Sequence, residues 1–278
     1  MYSCALDHDG TNEVGLRHAQ TFQLFERTIV VTSVAWDTKV DDILYISASN
    51  GEVIQFTIPD TLSRNPASHR RITEELSLPD NKTSNEDDND DARDDIVYTH
   101  ELEAWTVINT PQTWPAPQTF SGGDDAALIG PNLHNKRIHE AGVTAILPLT
   151  PGILATGSYD DHLRIIKLPD QHSRRPEVLH EINLGGGVWR LKLLEPLPSS
   201  TSEKFCVRVL VSCMYAGAFV VMLNGGPQAE DWSVEGVAHF AEHESMNYAC
   251  DVQSGAGNEA RTIVSCSFYD RRLCLWYI

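Results

Sequence analysis

The sequence predicts an all-β fold, and three observations carry that prediction. Short apolar runs rich in β-branched residues follow one another along the 278 residues, separated by turns of glycine, serine, asparagine and aspartate. A turn with serine and aspartate between two such runs recurs at 121–125, 157–161 and 265–270, and the first two of these turns also contain glycine. The aspartates of the first two turns, Asp125 and Asp160, are 35 residues apart. A hairpin that recurs at such an interval indicates a repeat architecture.

The details of the repeat favour a β-propeller. Blades of roughly 40–45 residues, each with four short strands, are typical of that architecture. Asp270 in the third turn precedes Trp276 by six residues, which is the spacing of the tryptophan in a WD repeat. His100 and His139 precede their strands as the histidine of that repeat does. We therefore predict a WD-repeat β-propeller in which these histidine and aspartate side chains mainly bridge the strands of a blade.

About five blades can be traced along the chain. We expect strands or strand pairs, in chain order, at 29–36, 43–47, 52–58, 96–108, 118–120, 139–146, 152–156, 162–168, 184–193, 206–213, 218–222, 243–252, 262–267 and 273–278. The short connections are typical of a meander rather than of βαβ units.

The chain is predicted to form a single propeller domain over residues 1–278, interrupted by an acidic insertion at 59–95. Seven acids lie within 81–95, too polar a stretch to bury much surface, so we expect the insertion to be disordered. The formal net charge is −18, and most of it lies outside the insertion. An acidic body repels phosphate backbones, which argues against nucleic-acid binding and suits a cationic partner.

Several classes of protein are disfavoured by what the sequence lacks. It contains no apolar run of about eighteen residues, and its first residues lack the basic and apolar regions of a secretory signal, so neither membrane insertion nor secretion is expected. None of the six cysteines forms a Cys-x-x-Cys pair, which favours reduced thiols in a cytoplasmic protein and no metal site. No Gly-x-Ser-x-Gly elbow or phosphate-binding loop is present, and no cofactor is expected.

Candidate functional residues lie where a generic propeller does not need them. Trp105, Trp189 and Tyr248 fall at the starts of first strands, which line the central channel of a propeller. Together with Glu103 they would bind a quaternary ammonium through cation–π contacts. Arg190 would fix a carboxylate or stabilise an oxyanion. The alternative, that Trp105 and Trp189 simply pack the channel, is equally open.

Some stretches are more specific than a generic repeat. These are His100–Trp105, Ser121–Asp125, Ile153–Asp160, Gly186–Arg190, Cys213-Met214 and Cys266–Asp270 with Leu275-Trp276. They resemble the WD-repeat diphthine methylesterases of diphthamide biosynthesis, also called diphthine methyltransferases, over residues 96–278.

The resemblance implies a reaction and a partner. The reaction would be hydrolysis of the methyl ester of methylated diphthine, a group built on a histidine of elongation factor 2, to diphthine and methanol. The substrate would carry a trimethylammonium next to the ester. The resemblance also implies a propeller of seven blades, whereas about five are visible in this chain, so the ring is expected to be incomplete or closed differently.

Two readings of the candidate site remain open. In the first, Glu103 or Asp160 acts as the general base on a water molecule, His139 assists, and Arg190 or backbone N–H groups hold the oxyanion. The substrate would then contact the aromatic side chains Trp105, Tyr159, Trp189, Tyr248 and Tyr269.

In the second reading the chain is a non-catalytic scaffold for protein–protein interaction, as fold alone does not give function. The two readings differ in one structural expectation. Convergence on one pocket favours the esterase, and scatter favours the scaffold, for the residues Glu103, Trp105, Trp189, Arg190 and Tyr248.

Overall fold

The computed structural model describes residues 21–59, 95–171, 173–197, 205–226, 228–253 and 261–278. Nineteen strands of this part of the chain form five antiparallel sheets, each a meander of successive strands. The predicted all-β propeller fold is therefore confirmed, with five blades in the described residues.

Blades 1 to 3 have four strands each. Blade 1 consists of β1 (Val31–Trp36), β2 (Ile43–Ala48), β3 (Glu52–Thr57) and β4 (Asp95–Thr99). Blade 2 consists of β5 (Ala104–Asn109), β6 (Thr119–Gly123), β7 (Leu128–Gly130) and β8 (Leu133–Asn135). Blade 3 consists of β9 (Val143–Thr150), β10 (Ile153–Ser158), β11 (His162–Lys167) and β12 (Glu177–Asn183). Blade 4 has four strands and blade 5 has three. They are β13 (Arg190–Leu193), β14 (Phe205–Ser212), β15 (Ala218–Gly225) and β16 (Ser233–Phe240), then β17 (Asn247–Val252), β18 (Thr262–Ser267) and β19 (Leu273–Tyr277).

The apolar core lies between consecutive blades. The first strands contact one another in chain order, β1 with β5, β5 with β9, β9 with β13 and β13 with β17, so they form the inner wall of the propeller. Apolar side chains of adjacent sheets fill the space between them, and they include Val53 with Val107, Phe120 with Leu154, Leu163 with Val211, and Leu210 with Trp276. Each fully buried side chain of this size contributes roughly 1.5–3 kcal/mol.

The glycine of the recurring turn motif is required by this packing. Gly122 in β6 and Gly157 in β10 occupy equivalent places in successive blades. A Cβ atom on Gly122 would lie 2.6 Å from the carbonyl oxygen of Val143, and one on Gly157 would lie 2.2 Å from Cγ1 of Val188. A side chain here would push the next blade away, so the repeat keeps glycine where another backbone approaches closely.

Histidine–aspartate pairs bridge the strands of a blade, as the sequence predicted. In blade 2, Nδ1 of His100 lies 2.9 Å from Oδ1 of Asp125, and Nε2 lies 2.9 Å from the Ser121 hydroxyl. In blade 5, His243 takes the equivalent place and contacts two serine hydroxyls at 2.8 Å, one of which bonds to Asp270. The Trp276 indole donates to Ser265, one of these two serines, at 3.2 Å.

Burial and pairing perturb these groups in a consistent direction. Burial lowers the pKa of His100 and His139, and the adjacent aspartates only partly oppose the shift. Burial raises the pKa of Asp125, but the hydrogen bonds from His100 and two backbone amides outweigh it and hold the pKa at about 2. In both residue types the folded state therefore binds fewer protons than the unfolded chain.

Acidification is expected to destabilise the propeller in two steps. Because the folded pKa values are depressed, stability is fully present above the unfolded pKa values and falls as the unfolded chain takes up protons. The first loss begins below about pH 6.5, where unfolded histidines protonate, and the second lies between about pH 3.8 and pH 2, where Asp125 contributes on the order of 2 kcal/mol. Urea unfolding at successive pH values measures both.

The exposed Asp41 supplies the control for this experiment. An Asp41→Asn variant should follow the wild-type profile, whereas Asp125→Asn should be less stable at pH 7 and lose the second step. A wild-type free energy of unfolding that stays constant from pH 7 to pH 3 would contradict the prediction.

The two terminal blades leave apolar side chains uncovered. Val34 and Trp36 of β1 are 60% and 56% exposed, and Leu275 and Tyr277 of β19 are 65% and 70% exposed. Equivalent positions in the middle blades are buried between sheets. Within the described ranges, the outward faces of blades 1 and 5 therefore remain without a covering sheet.

Some expectations need adjustment. The run 96–108 is two strands, β4 and β5, joined by a corner at 100–103. The outer strands β7, β8, β12 and β16 were not foreseen, because outer strands are short or half exposed and lack a continuous apolar run. Residues 1–20 and almost all of the predicted acidic insertion at 59–95, from residue 60 to residue 94, lie outside the described residues.

Candidate functional site

Four aromatic side chains from four blades meet at the mouth of the channel. Trp105 lies in β5, Tyr159 follows β10, Trp189 precedes β13 and Tyr248 lies in β17. The ring centroid of Trp189 is 5.6 Å from that of Trp105, 5.7 Å from that of Tyr159 and 5.3 Å from that of Tyr248. We call these four residues the aromatic cluster. All four rings are partly exposed, so they present faces to solvent as well as to one another.

Trp189 is central to the cluster because of the local backbone. Gly186 and Gly187 precede it, and a Cβ atom on Gly186 would lie 2.5 Å from the carbonyl oxygen of Cys213. The glycines therefore let this chain segment pass close to blade 4's turn before the backbone enters β13. The amide of Trp189 then donates to the carbonyl of Ser212 at 2.8 Å, which fixes the ring at the centre of the cluster.

Two carboxylates lie on the blade 2 side of the cluster. The Trp105 indole nitrogen donates to Oδ1 of Asp124 at 3.0 Å, which sets the orientation of that ring. The amide of Asp124 in turn donates to the carbonyl of Glu103 at 2.8 Å. Burial raises the pKa of Tyr159 well above its usual range, and the charges of Asp124 and Glu103 raise it further. The Tyr159 hydroxyl therefore stays protonated and is available as a hydrogen-bond donor.

A guanidinium group lies over the central ring of the cluster. The Cζ atom of Arg190 is 4.7 Å from the Trp189 ring centroid, a cation–π contact. One nitrogen, Nη1, donates to the carbonyls of Thr144 at 3.1 Å and Trp189 at 2.9 Å. Burial lowers the pKa of Arg190, and the nearby Tyr159 partly opposes this effect. In the described part of the chain Nε and Nη2 make no hydrogen bond, so these donors are available to a ligand.

Two of the predicted catalytic residues, His139 and Asp160, belong to a hydrogen-bond network within blade 3. Nδ1 of His139 lies 3.2 Å from Oδ2 of Asp160, and Nε2 lies 2.8 Å from the Thr156 hydroxyl. Nη1 of Arg164 donates to the same Asp160 oxygen at 2.6 Å, and the Glu140 amide donates to it at 3.0 Å. Burial raises the pKa of Asp160, but these bonds outweigh burial and hold it below its ordinary value. The pair bridges strands of blade 3, and its catalytic role stays a prediction.

The remaining predicted residue, Tyr269, lies at the rim. Its ring centroid is 5.1 Å from that of Phe268, which is 6.2 Å from that of Tyr248. Tyr269 and Phe268 are both largely exposed in the turn between β18 and β19. Tyr269 is therefore connected to the aromatic cluster through Phe268 rather than being part of it.

Sequence reasoning overlooked Asp124 and Phe268. The signal for Asp124 is the doublet Asp124-Asp125, because the blade needs only Asp125 for its histidine and leaves Asp124 for another partner. The signal for Phe268 is its place in Cys266–Asp270, one of the stretches that are more specific than a generic repeat. No group of three or more His, Cys, Asp or Glu side chains suited to a metal ion occurs among the described residues. No helix in these ranges is long and apolar enough to cross a membrane.

The arrangement suits a small cationic group beside a carboxyl or ester. Ring faces and two carboxylates attract an ammonium, whereas the Arg190 guanidinium attracts oxygen. Because Arg190 already lies on one face of Trp189, a ligand cation is expected to use Trp105 and Tyr248, away from the like charge.

Comparison with known proteins gives several relatives of one kind. The diphthine methyltransferase of Schizosaccharomyces pombe is 36% identical over 187 residues, which cover 64% of this chain and 52% of the relative. That of Saccharomyces cerevisiae is 27% identical over 302 residues, which cover 96% of this chain and 73% of the relative. That of Homo sapiens is 36% identical over 102 residues, or 34% of this chain and 21% of the relative. The chain thus spans about half the length of the fission yeast protein.

The fold has a counterpart among solved structures. The WD40 β-propeller domain of Doa1 matches with a TM-score of 0.51 and 14% sequence identity, and the match covers 89% of this chain and 64% of that domain. No family model matches the chain. The similarity to Doa1 concerns the fold, and the resemblance found in the sequence is confirmed by the curated relatives. The chain is a WD-repeat β-propeller protein related to the diphthine methyltransferases.

Proposed function

We propose that this chain carries the active site of a diphthine methylesterase. The reaction is hydrolysis of the methyl ester of methylated diphthine on elongation factor 2, which releases methanol and leaves the carboxylate of diphthine. The names of the curated relatives support a role in diphthamide biosynthesis. Because the protein substrate belongs to the translation machinery, the proposed site of action is the cytoplasm.

One observation carries the proposal: the aromatic cluster and Arg190 lie side by side. Methylated diphthine has a trimethylammonium next to its ester, so its recognition needs ring faces for the cation and a donor for the ester oxygen within a few ångströms. Trp105 and Tyr248 flank Trp189 at 5.6 and 5.3 Å, and Arg190 lies 4.7 Å from the same ring. A site for an uncharged ester would not need the cation-binding half.

The geometry suggests how the residues divide the reaction. Trp105, Tyr248 and the Asp124 carboxylate hold the trimethylammonium. The free N–H groups of Arg190 and the Tyr159 hydroxyl donate to the carbonyl oxygen as it becomes an oxyanion. Glu103 accepts a proton from water, whose oxygen attacks the carbonyl carbon. Collapse of the resulting tetrahedral intermediate breaks the bond between the carbonyl carbon and the methoxy oxygen. The methoxy group takes up a proton and leaves as methanol.

The test is methanol release from methylated elongation factor 2. The purified chain should release one methanol per ester without any methyl donor, measured by coupled alcohol oxidation and by the loss of 14 Da from the modified peptide. Transfer of a methyl group from a labelled donor to elongation factor 2, with no methanol formed, would refute hydrolysis. Glu103→Gln should lower kcat, and an unchanged rate would refute only the assignment of the base.

Removal of a cation-binding ring is expected to weaken substrate binding. Trp105→Leu keeps an apolar side chain but removes the π face, so KM should rise about tenfold, as a cation–π contact of about 1–2 kcal/mol implies. Trp36→Leu is the matched control, because Trp36 is 56% exposed on β1 of blade 1 and lies outside the cluster. Steady-state methanol release measures both variants. An equal KM in the two would contradict the role of Trp105.

A non-catalytic scaffold remains the second candidate, and one observation favours it. Exposed aromatic side chains lie next to the cluster on the Tyr248 side, namely Tyr215, Phe268 and Tyr269. Such a rim suits contact with another protein. Stable binding of elongation factor 2 with no methanol release would support the scaffold over the esterase.

A further inference from the structure

A groove on the outer wall separates blades 2 and 3. Its volume is about 820 Å³, and it lies between the end of blade 2 around β8 and the start of β12. The groove exists because β7 and β8 have only three residues each, whereas β11 has six and β12 has seven. The outer half of blade 2 is thus too short to cover its neighbour. The groove is on the circumference and shares no residue with the aromatic cluster.

The groove is cationic although the protein is acidic. The net charge of the chain is −18, yet His134, Lys136, Arg137, Arg174 and Arg175 line this one groove with Glu101 as its acid. Lys136 is paired with Glu101 at 2.8 Å. Within the described ranges the three arginines make no ion pair, and all three are exposed. Among the described residues, this local excess of guanidinium groups has no carboxylate partner.

The floor of the groove is apolar. Leu133 is buried beneath it, Ile138 is half-buried, and Val178 of β12 is exposed along its wall. An extended chain lying in the groove could place alternate side chains against the arginines and the apolar floor.

We propose that this groove binds an extended acidic peptide segment of a partner protein. Charge complementarity selects carboxylate side chains, because arginine forms paired hydrogen bonds with them. The apolar floor selects aliphatic residues at the alternate positions. The site is separate from the proposed esterase site, and it would add contact area for a protein that is held elsewhere on the propeller.

Two other anions fit the groove less well. A single phosphate is best held by donors that converge in a small pocket, whereas these arginines are exposed and spread along the wall. A nucleic acid extends well beyond the groove, and there it would meet Glu140 and other carboxylates of a body with a net charge of −18. Repulsion from an acidic body disfavours a long polyanion but not a short peptide.

Fluorescence anisotropy with a defined peptide tests the proposal. The probe is a fluorescein-labelled ten-residue peptide of alternating glutamate and valine, titrated with the full chain at 50 mM salt. The counterpart with lysine in place of glutamate reports non-specific attraction to the acidic body. We expect the acidic peptide to bind, and the double variant Arg174→Glu with Arg175→Glu to raise its Kd at least tenfold.

A matched double reversal controls for net charge. Arg27→Glu with Lys39→Glu changes the net charge by the same amount at exposed positions of the blade 1 region, so its Kd should equal that of the wild type. An equal rise in the Kd of the acidic peptide for the two double variants would overturn the proposal. Tighter binding of the lysine peptide than of the acidic peptide would overturn it as well. Tighter binding of a labelled twelve-nucleotide RNA or of inorganic phosphate would overturn the choice of a peptide. Methanol release is not needed for any of these measurements, so failure of the groove and failure of the esterase remain distinct.

Discussion

Replacement of Arg190 by glutamine is expected to lower kcat for methanol release by about 100-fold, with a smaller change in KM. The variant removes the positive charge that lies over the Trp189 ring and leaves the Tyr159 hydroxyl as the remaining proposed donor to the oxyanion. Loss of one donor to a developing oxyanion typically costs about 10²–10³ in kcat. A carbonyl in the ground state gains less from the same donor, which is why KM should change little.

The control for this variant is Arg271→Gln. Arg271 is exposed in the turn between β18 and β19, so the change removes one charge from the same side of the propeller without touching the cluster. Because Arg190 also donates to two carbonyls, the thermal midpoint of each variant is needed to exclude unfolding. A folded Arg190→Gln variant with wild-type kcat would show that the oxyanion is held by other groups.

Replacement of Asp160 by alanine is expected to lower the free energy of unfolding by about 3–5 kcal/mol. The Asp160 side chain is 6% exposed, and it accepts from Arg164, whose side chain is 8% exposed. Removing one partner leaves a buried guanidinium with its charge uncompensated on that side. His139 and the Glu140 amide lose a hydrogen-bond acceptor at the same time. Urea unfolding at pH 7 measures the effect.

Glu181→Ala is the matched control, because Glu181 contacts the same arginine from the outside. The Arg164 Nε atom donates to Glu181 at 2.8 Å, but the Glu181 side chain is 51% exposed. An exposed ion pair contributes at most about 1 kcal/mol, so this variant should be only slightly less stable. If Asp160→Ala retained wild-type stability but lost methanol release, the structural role would be refuted and the catalytic prediction for Asp160 supported.

The recurring turn motif allowed the fold to be predicted because its residues are required locally. Gly157 is required by the close approach of Val188 before the next blade, and Asp160 by a histidine of the same blade. Such requirements recur in blades 2 and 3, so the residues that meet them recur at a regular interval in the sequence. The outer strand β12 has no such requirement, because much of it faces solvent and alternation there is weak. Its position follows only from the sheet to which it pairs.

The site could be predicted in part. Trp105, Trp189 and Tyr248 stood out because they depart from the repeat at the starts of first strands, and these residues do meet in the structure. His139 and Asp160 were given a possible catalytic role, yet the same residues satisfy the hydrogen bonds of blade 3. Their residue types serve both purposes, and sequence spacing does not separate the two.

What the sequence determined by itself is the repeat: the period of the turns, the serine and aspartate within them, and the alternation of inner strands. All of these come from contacts between near neighbours along the chain. What only the tertiary structure decided is which blades face one another. Trp105 and Tyr248 are far apart along the chain, yet both approach Trp189 because the ring geometry brings first strands together. The same geometry exposes the basic groove, since its two walls come from blades whose outer strands differ in length. Contacts between distant segments leave no period in the sequence, so they become visible only when the chain is folded.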